Sequence, residues 1–333
     1  MRLSVWHSHN LKWLAPGAVL LAIWFPAEAQ QPKKVPRIGF LGQASASFYS
    51  TAIEAFRDGL HGLGYVEGKN ILIEYRYGEG KLDPLPELAA ELIRLKVDVI
   101  VTPGGPTTLA AKKVTGTIPI VMAGVGDPLG EGLVASLARP EGNVTGVSAL
   151  SPELSGKRLE ILRQAFPNVS RVAVLFHGAN PTNLAALKET EAAAAALQVQ
   201  LQPLDVRGPD DFEPAFADAA GRHANALVVL RNAFYQAHLT QIVTLAAKGR
   251  LPAMYPLIEY VNAGGLMSYG VNTADLFRRA ATHVDKILKG AKPGDLPVEQ
   301  PVKFEFIINL KTAKQIGVTI PQSVLYQADK VIK

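Results

Sequence analysis

Cysteine is absent from all 333 residues. That excludes disulfide staples, thiol nucleophiles, thiolate metal sites and lipid attachment at a cysteine. Catalytic signatures are missing as well: no Gly-x-Ser-x-Gly elbow, His-Glu-x-x-His helix, Walker phosphate loop or Gly-x-Gly-x-x-Gly turn occurs. Lys and Arg neither form a block nor interleave with aromatics, so a formal charge of +5 reads as solvated surface and no nucleic-acid partner is expected. Long apolar runs are also lacking. The one near the start, Trp13 to Phe25, is broken by Pro16-Gly17 and falls short of the ~18 to 20 residues that span a bilayer.

That run has the flanks of a secretory leader. Arg2 and Lys12 precede it and Ala27-Glu28-Ala29 follows it, which places cleavage after Ala29 and the mature chain in the periplasm. The alternative is an uncleaved anchor. Losing two basic residues and one acid with residues 1–29 takes the formal charge from +5 to +4 and leaves 304 residues, enough for two medium α/β domains.

From Val35 the chain alternates β-branched runs with amphipathic segments, the pattern of βα units feeding parallel sheets. Strands are expected at 35–41, 70–77, 97–102, 119–123 and 143–148, with helices at 51–63, 85–95, 104–113 and 129–137. Ser151-Pro152 caps a helix at 153–166 and opens a second set. It continues with strands at 171–176, 198–203, 226–230, 253–256 and 265–269, and helices at 184–197, 211–221, 236–248 and 274–288. The tail holds a proline- and charge-rich stretch at 293–301, a strand at 302–308 and a short helix at 310–316. The two sets predict an α/β protein of two doubly wound, Rossmann-like lobes, residues 30–150 and 151–272. Residues 273–333 then supply a helix, a crossover and a tail, part of which returns to the first lobe. Crossings near Leu150, Asn272 and Val302 would make a three-stranded hinge.

Doubly wound sheets bind ligands beyond the carboxyl ends of their strands, so the loops there hold the candidate residues. After strand one come Gln43, Ser47 and Phe48; after strand three, Gly105, Thr107 and Thr108. The latter run reads either as a carboxylate cradle or as a glycine turn with ordinary capping. Asp127 either accepts from an amine or caps the helix expected at Leu129. In the second set, Asn180 and Asn232 offer amide donors beside Phe234, and His177 is the one histidine placed directly after a strand. Tyr269 and Asp275 follow the last strand, where they either close the pocket or belong to a plain helix cap.

Several long motifs are similar to one family. Pro36-Arg37-Ile38-Gly39-Phe40-Leu41, Asp127-Pro128-Leu129-Gly130-Glu131-Gly132-Leu133-Val134 and Arg139-Pro140-Glu141-Gly142-Asn143-Val144-Thr145-Gly146 resemble ABC-transporter substrate-binding proteins of the tryptophan/tyrosine type. So do Leu251-Pro252-Ala253-Met254-Tyr255-Pro256, Gly264-Gly265-Leu266-Met267-Ser268-Tyr269-Gly270 and Lys303-Phe304-Glu305-Phe306. The resemblance runs from Val35 to the end. It implies a type I periplasmic-binding-protein fold, a monomer that closes on a small molecule, no cofactor and no metal, and delivery to a membrane permease with its cytoplasmic ATPase. It also implies that Thr107, Thr108, Asp127 and Asn232 are pocket residues faced by Gln43 and Ser47, while His177 stands where relatives carry asparagine. For an amino-acid ligand, Thr107 and Thr108 would cradle the carboxylate, Asp127 would accept from the ammonium, and Phe48, Phe176 or Phe234 would form the aromatic slot.

Three readings compete. The first is a binding protein for uptake of an aromatic amino acid or related carboxylate, with no bond chemistry. The second is an extracytoplasmic sensor that reports ligand state to a membrane receptor. The third is a secreted enzyme using His177 as base and Asp127 as its orienter. A two-lobed DNA-binding regulator is disfavoured because a leader stands where a helix-turn-helix would be.

Overall fold

Two strands, Val99–Thr102 and Ile120–Val125, are buried along their whole length, as the centre of a parallel sheet covered on both faces requires. The computed structural model describes residues 34–333, so the leader expected over residues 1–29 lies outside the described residues. In chain order the first set is β1 (Arg37–Gly42), α1 (Ser50–Gly62), β2 (Leu72–Tyr77), α2 (Leu85–Arg94), β3 (Val99–Thr102), α3 (Gly105–Val114), β4 (Ile120–Val125) and β5 (Val144–Ser148). Its five strands are all parallel, in the order β2-β1-β3-β4-β5.

The second set opens with α4 (Ser151–Ala165), β6 (Arg171–Phe176), α5 (Pro181–Leu197), β7 (Gln200–Asp205), α6 (Phe212–Gly221) and β8 (Ala226–Val229). It continues through α7 (Ala233–Ala237), α8 (Leu239–Lys248), β9 (Ala253–Tyr255), α9 (Ile258–Asn262), β10 (Met267–Val271) and α10 (Thr273–Leu288). Then come β11 (Phe304–Asn309), α11 (Leu310–Ile316), α12 (Gln322–Leu325) and β12 (Lys330–Ile332). The sheet order is β12-β11-β10-β9-β8-β6-β7, and β10–β11 is its one antiparallel pair. This is the α/β, type I periplasmic-binding-protein fold.

The chain passes between the two sheets more than once. Leaving β10, it sends α10 onto the first sheet, where Phe277, Ala280, Ala281 and Val284 pack with Ile53, Phe56 and Leu60 of α1. Gly59 sits at that crossing: a Cβ there would stand 2.9 Å from the Cβ of Ala281, so the helices meet only because the side chain is missing. Residues 296–299 then lie along β5, with Ser148 N–H donating to Glu299 C=O at 2.8 Å and Glu299 N–H to Gly146 C=O at 2.8 Å. From there the chain returns to the second sheet as β11. Val147, Ala149, Leu154, Val271 and Leu276 form a small core where these passages converge.

Three local expectations are corrected. The helix expected at 153–166 with Ser151 as its cap begins at Ser151 itself, the cap position is Leu150 in the left-handed region, and the Ser151 hydroxyl caps nothing. Residues 129–137 form turns rather than a helix. Gly132 adopts φ +65, and the Lys112 ammonium donates to the carbonyls of Gly132 and Leu133 at 2.9 and 3.0 Å, taking acceptors a helix would use internally. Leu133 and Val134 still enter the core, which explains their helix-like spacing. The helix expected at 236–248 is two helices broken at His238, whose Nδ1 lies 2.9 Å from Phe234 C=O. The short α9, α12 and β12 escape periodicity because none spans two turns or alternates long enough.

Candidate functional site

The carboxyl ends of β1, β3 and β4 face those of β6, β8, β9 and β10 across a cleft holding two adjoining cavities of about 550 and 350 Å³. Both lie in the range of small-molecule sites, roughly 300–1,000 Å³. Arg231, Gln43, Gly104 and Gln236 line both, so the cavities are two chambers of one cleft.

Arg231 stands at the divide. It follows the fully buried β8 run, and its carbonyl accepts from Asn183 Nδ2 at 2.7 Å, which fixes the backbone against α5. The residue is half-buried, and desolvation pushes its pKa down, with the charge of Glu259 acting in the opposite sense. Nη1 has no hydrogen-bond partner among the described residues. Such a donor is expensive to leave unpaired.

Unmet polar capacity is concentrated here. Of the nine buried side-chain atoms without a partner among the described residues, five line the chambers: Ser151 Oγ, His177 Nδ1, Arg231 Nη1, Glu259 Oε2 and Thr273 Oγ1. Buried polar groups are ordinarily paired, so this clustering sets the chambers apart from the rest of the interior.

A carboxylate bridges the cleft. Glu131, in the turns after β4, accepts from the Thr182 hydroxyl at the start of α5. Burial raises the Glu131 carboxyl above its ordinary value, opposed by the Thr182 hydrogen bond and reinforced by the charge of Asp127. Gly105 lies against it: a Cβ there would displace the end of the Glu131 side chain.

The sequence-derived candidates divide. Gln43, Phe48 and Thr107 line the larger chamber; Gln43, Gly105, His177, Asn180, Asn232 and Phe234 line the smaller one. The ring of His177 meets Phe234 edge-on at 6.1 Å, and its backbone N–H donates to Asn183 Oδ1 at 3.0 Å. Asn180 and Asn232 also cap helices, accepting from Asn183 N–H at 3.2 Å and Phe234 N–H at 2.8 Å.

Six candidates line neither chamber. Ser47 is exposed, with its hydroxyl 3.0 Å from that of Ser45. Thr108 is fully buried beneath the loop, donating to Gly104 C=O at 2.9 Å and meeting the Thr102 hydroxyl at 2.7 Å. Asp127 Oδ1 accepts from Gly130 N–H at 2.9 Å, the capping alternative, though it caps a turn. Phe176 packs on the second-sheet core and Tyr269 stacks on Phe304 at 6.2 Å. Asp275 supplies the N–H that Asn272 caps at 2.8 Å.

Sequence reading passed over Glu131, Glu259, Thr273 and Arg231. One signal was available for Arg231: a charge directly after an uninterrupted apolar strand has no neighbour to pair with and sits at the ligand edge of the sheet. Among the described residues no cluster of three or more metal-binding side chains occurs, and no helix is long and apolar enough to cross a membrane.

Residues 45–332 match the family described as ABC transporter substrate binding protein. The chain belongs to that family. A tyrosine-binding protein of Clostridioides difficile (strain R20291) is 25% identical over 285 residues, covering 85% of this chain and 81% of the relative. A conserved domain protein of Vibrio cholerae superposes with a TM-score of 0.85 at 27% identity, covering 90% of this chain and 100% of that one. An ABC domain from Streptococcus pneumonia in complex with L-Trp superposes with a TM-score of 0.84 at 26% identity, covering 89% and 99%.

Proposed function

We propose that this substrate-binding protein captures an aromatic amino acid or a related small carboxylate in the cleft and delivers it to a membrane permease. The observation that carries the reading is Arg231: a half-buried arginine between two chambers, whose enclosed Nη1 is left unpaired. A carboxylate is the planar acceptor such a donor fits, and the bond is charge-assisted. Phe48, Phe277 and Phe234 supply aromatic faces on either side. Support also comes from relatives whose names record tyrosine and tryptophan.

On this reading the leader is removed, the protein works outside the cytoplasm, and the lobes are residues 35–150 and 151–272 with α10 added to the first. The passages near Leu150, Asn272 and residues 296–304 form the hinge. Ligand favours closure only by binding the closed form better than the open one. Arg231 and Glu259 come from the second sheet's loops and Phe48 from the first's, so the full set of contacts exists only when the lobes are together.

The test is to unfold and refold the protein to strip bound ligand, then measure thermal shifts with aromatic amino acids and aromatic carboxylates. Ligand at ~100 times its Kd stabilises by about 2.7 kcal/mol, a visible shift for a chain of this size. A response that disappears in Arg231→Ala supports the reading. Silence toward every aromatic carboxylate, with or without an amine, overturns it.

A further inference from the structure

Glu259 poses the same problem as Arg231 with the opposite sign. It lies on α9, just beyond β9, and its Oε2 is buried with no hydrogen-bond partner among the described residues. Both residues line the larger chamber and feel each other's charge, yet they make no direct salt bridge. Elsewhere this protein lets arginine meet carboxylate directly, as in Arg76–Glu91 at 2.6 Å and Arg279–Glu299 at 2.5 Å. Two desolvated opposite charges at one cavity that do not pair directly are left without full compensation. A molecule carrying both complementary charges on neighbouring atoms corrects this at one stroke.

Other acids near the cleft are already engaged. Glu131 accepts from Thr182, Asp127 from Gly130 N–H, Glu305 from Asn272 Nδ2 at 2.7 Å, and Asp329 from Phe306 N–H at 2.7 Å. Among the described residues Glu259 is the carboxylate with a buried oxygen that has no partner. Apolar walls from Phe48, Ile258 and Phe277 complete the same chamber, and the buried Thr273 hydroxyl adds a third unpaired polar group.

Resting on the reading above, we propose that Glu259 receives the ligand's ammonium while Arg231 receives its carboxylate in the larger chamber. Asp127 then has no part in reading the amine.

The probes are matched triplets: L-tyrosine, 3-(4-hydroxyphenyl)propionate and tyramine; L-tryptophan, indole-3-propionate and tryptamine. Calorimetry on refolded protein is expected to show at least one amino acid binding about tenfold or more tighter than its des-amino partner, the value of one charge-assisted hydrogen bond. In Glu259→Gln that preference collapses while the des-amino acid holds its affinity, and Asp127→Ala keeps the wild-type preference. An unchanged circular dichroism spectrum shows that each variant folds. Equal affinity for amino and des-amino acids in the wild type, or equal weakening of both by Glu259→Gln, overturns the inference and leaves carboxylate capture standing. Failure of all six probes overturns both.

Discussion

The loops at the edge of the first sheet and those at the edge of the second meet across one cleft, but they meet it in different states. First-sheet groups are largely satisfied at home: Thr107 and Thr108 donate to Gly104 C=O at 2.8 and 2.9 Å, and Asp127 accepts from Gly130 N–H. Second-sheet groups are not, for His177, Arg231 and Glu259 all keep buried atoms without partners among the described residues. The first edge is thus a shaped wall held by its own hydrogen bonds. The second carries the charges whose partners must come from outside.

The sharpest way to break this comparison is to mutate across it. Arg231→Ala removes a charge-assisted contact in a desolvated site, and a loss of at least about a hundredfold in affinity for an aromatic amino acid is expected by calorimetry. Thr108→Val and Asp127→Ala change affinity less than about threefold, since each acts within its own loop; Thr108→Val lowers stability by about 1 kcal/mol in denaturant titrations. A loss from Asp127→Ala matching that from Arg231→Ala would invert the assignment of the two edges.

Next in size is the bridge between the edges. Gly105→Ala forces the Glu131 carboxylate off the start of α3 and breaks its bond with Thr182. Only the end of a flexible side chain has to move, so the cost is that of the lost hydrogen bond, about 1 kcal/mol. The ligand-free midpoint should fall, and the radius of gyration from solution scattering should rise as the lobes part. An unchanged scattering profile would mean the bridge does not hold the cleft shut.

Smaller still is a pH effect that separates the buried acids. Burial raises both Glu131 and Glu259; Asp127 and Thr182 act on the first, Arg231 and Glu305 on the second. A carboxyl with a raised folded-state pKa holds its proton more tightly in the folded protein than in the unfolded chain. Stability therefore declines as pH rises from the unfolded value near 4.3 through the raised one, and protonation at lower pH restores it. Glu259→Gln removes part of that decline, lifting the ligand-free midpoint at pH 7 by roughly 1–3 °C while leaving it unchanged near pH 4. A drop at pH 7 would show that ionised Glu259 already has a stabilising partner. Ser47→Ala, at an exposed site, is expected to alter neither binding nor midpoint measurably.

Much of the fold was legible because it depends on local pattern. The fully buried runs of β3 and β4, the alternation of Ile71, Ile73, Tyr75 and Tyr77 on one face, and the Ser151-Pro152 start of α4 each announce themselves within a few residues. The stretch 129–137 misled because its apolar spacing serves a turn that Gly132 and Lys112 hold in place. The site was less legible. Loop position drew attention to Gln43, Phe48, Gly105, Thr107, His177, Asn180, Asn232 and Phe234, which line the chambers, but it gave equal standing to Thr108 and Asp127, which hydrogen-bond within their own loops.

By itself the sequence determined the alternating elements, the two parallel-dominated sheets they build and the edges at which a ligand is met, because hydrophobic period and capping are short-range properties. Only the tertiary structure decided which polar groups there are spent and which remain unpaired. Whether Asp127 or Glu259 has an oxygen to spare depends on neighbours brought in from distant segments, and desolvation is a property of the assembled surroundings rather than of any residue's local sequence.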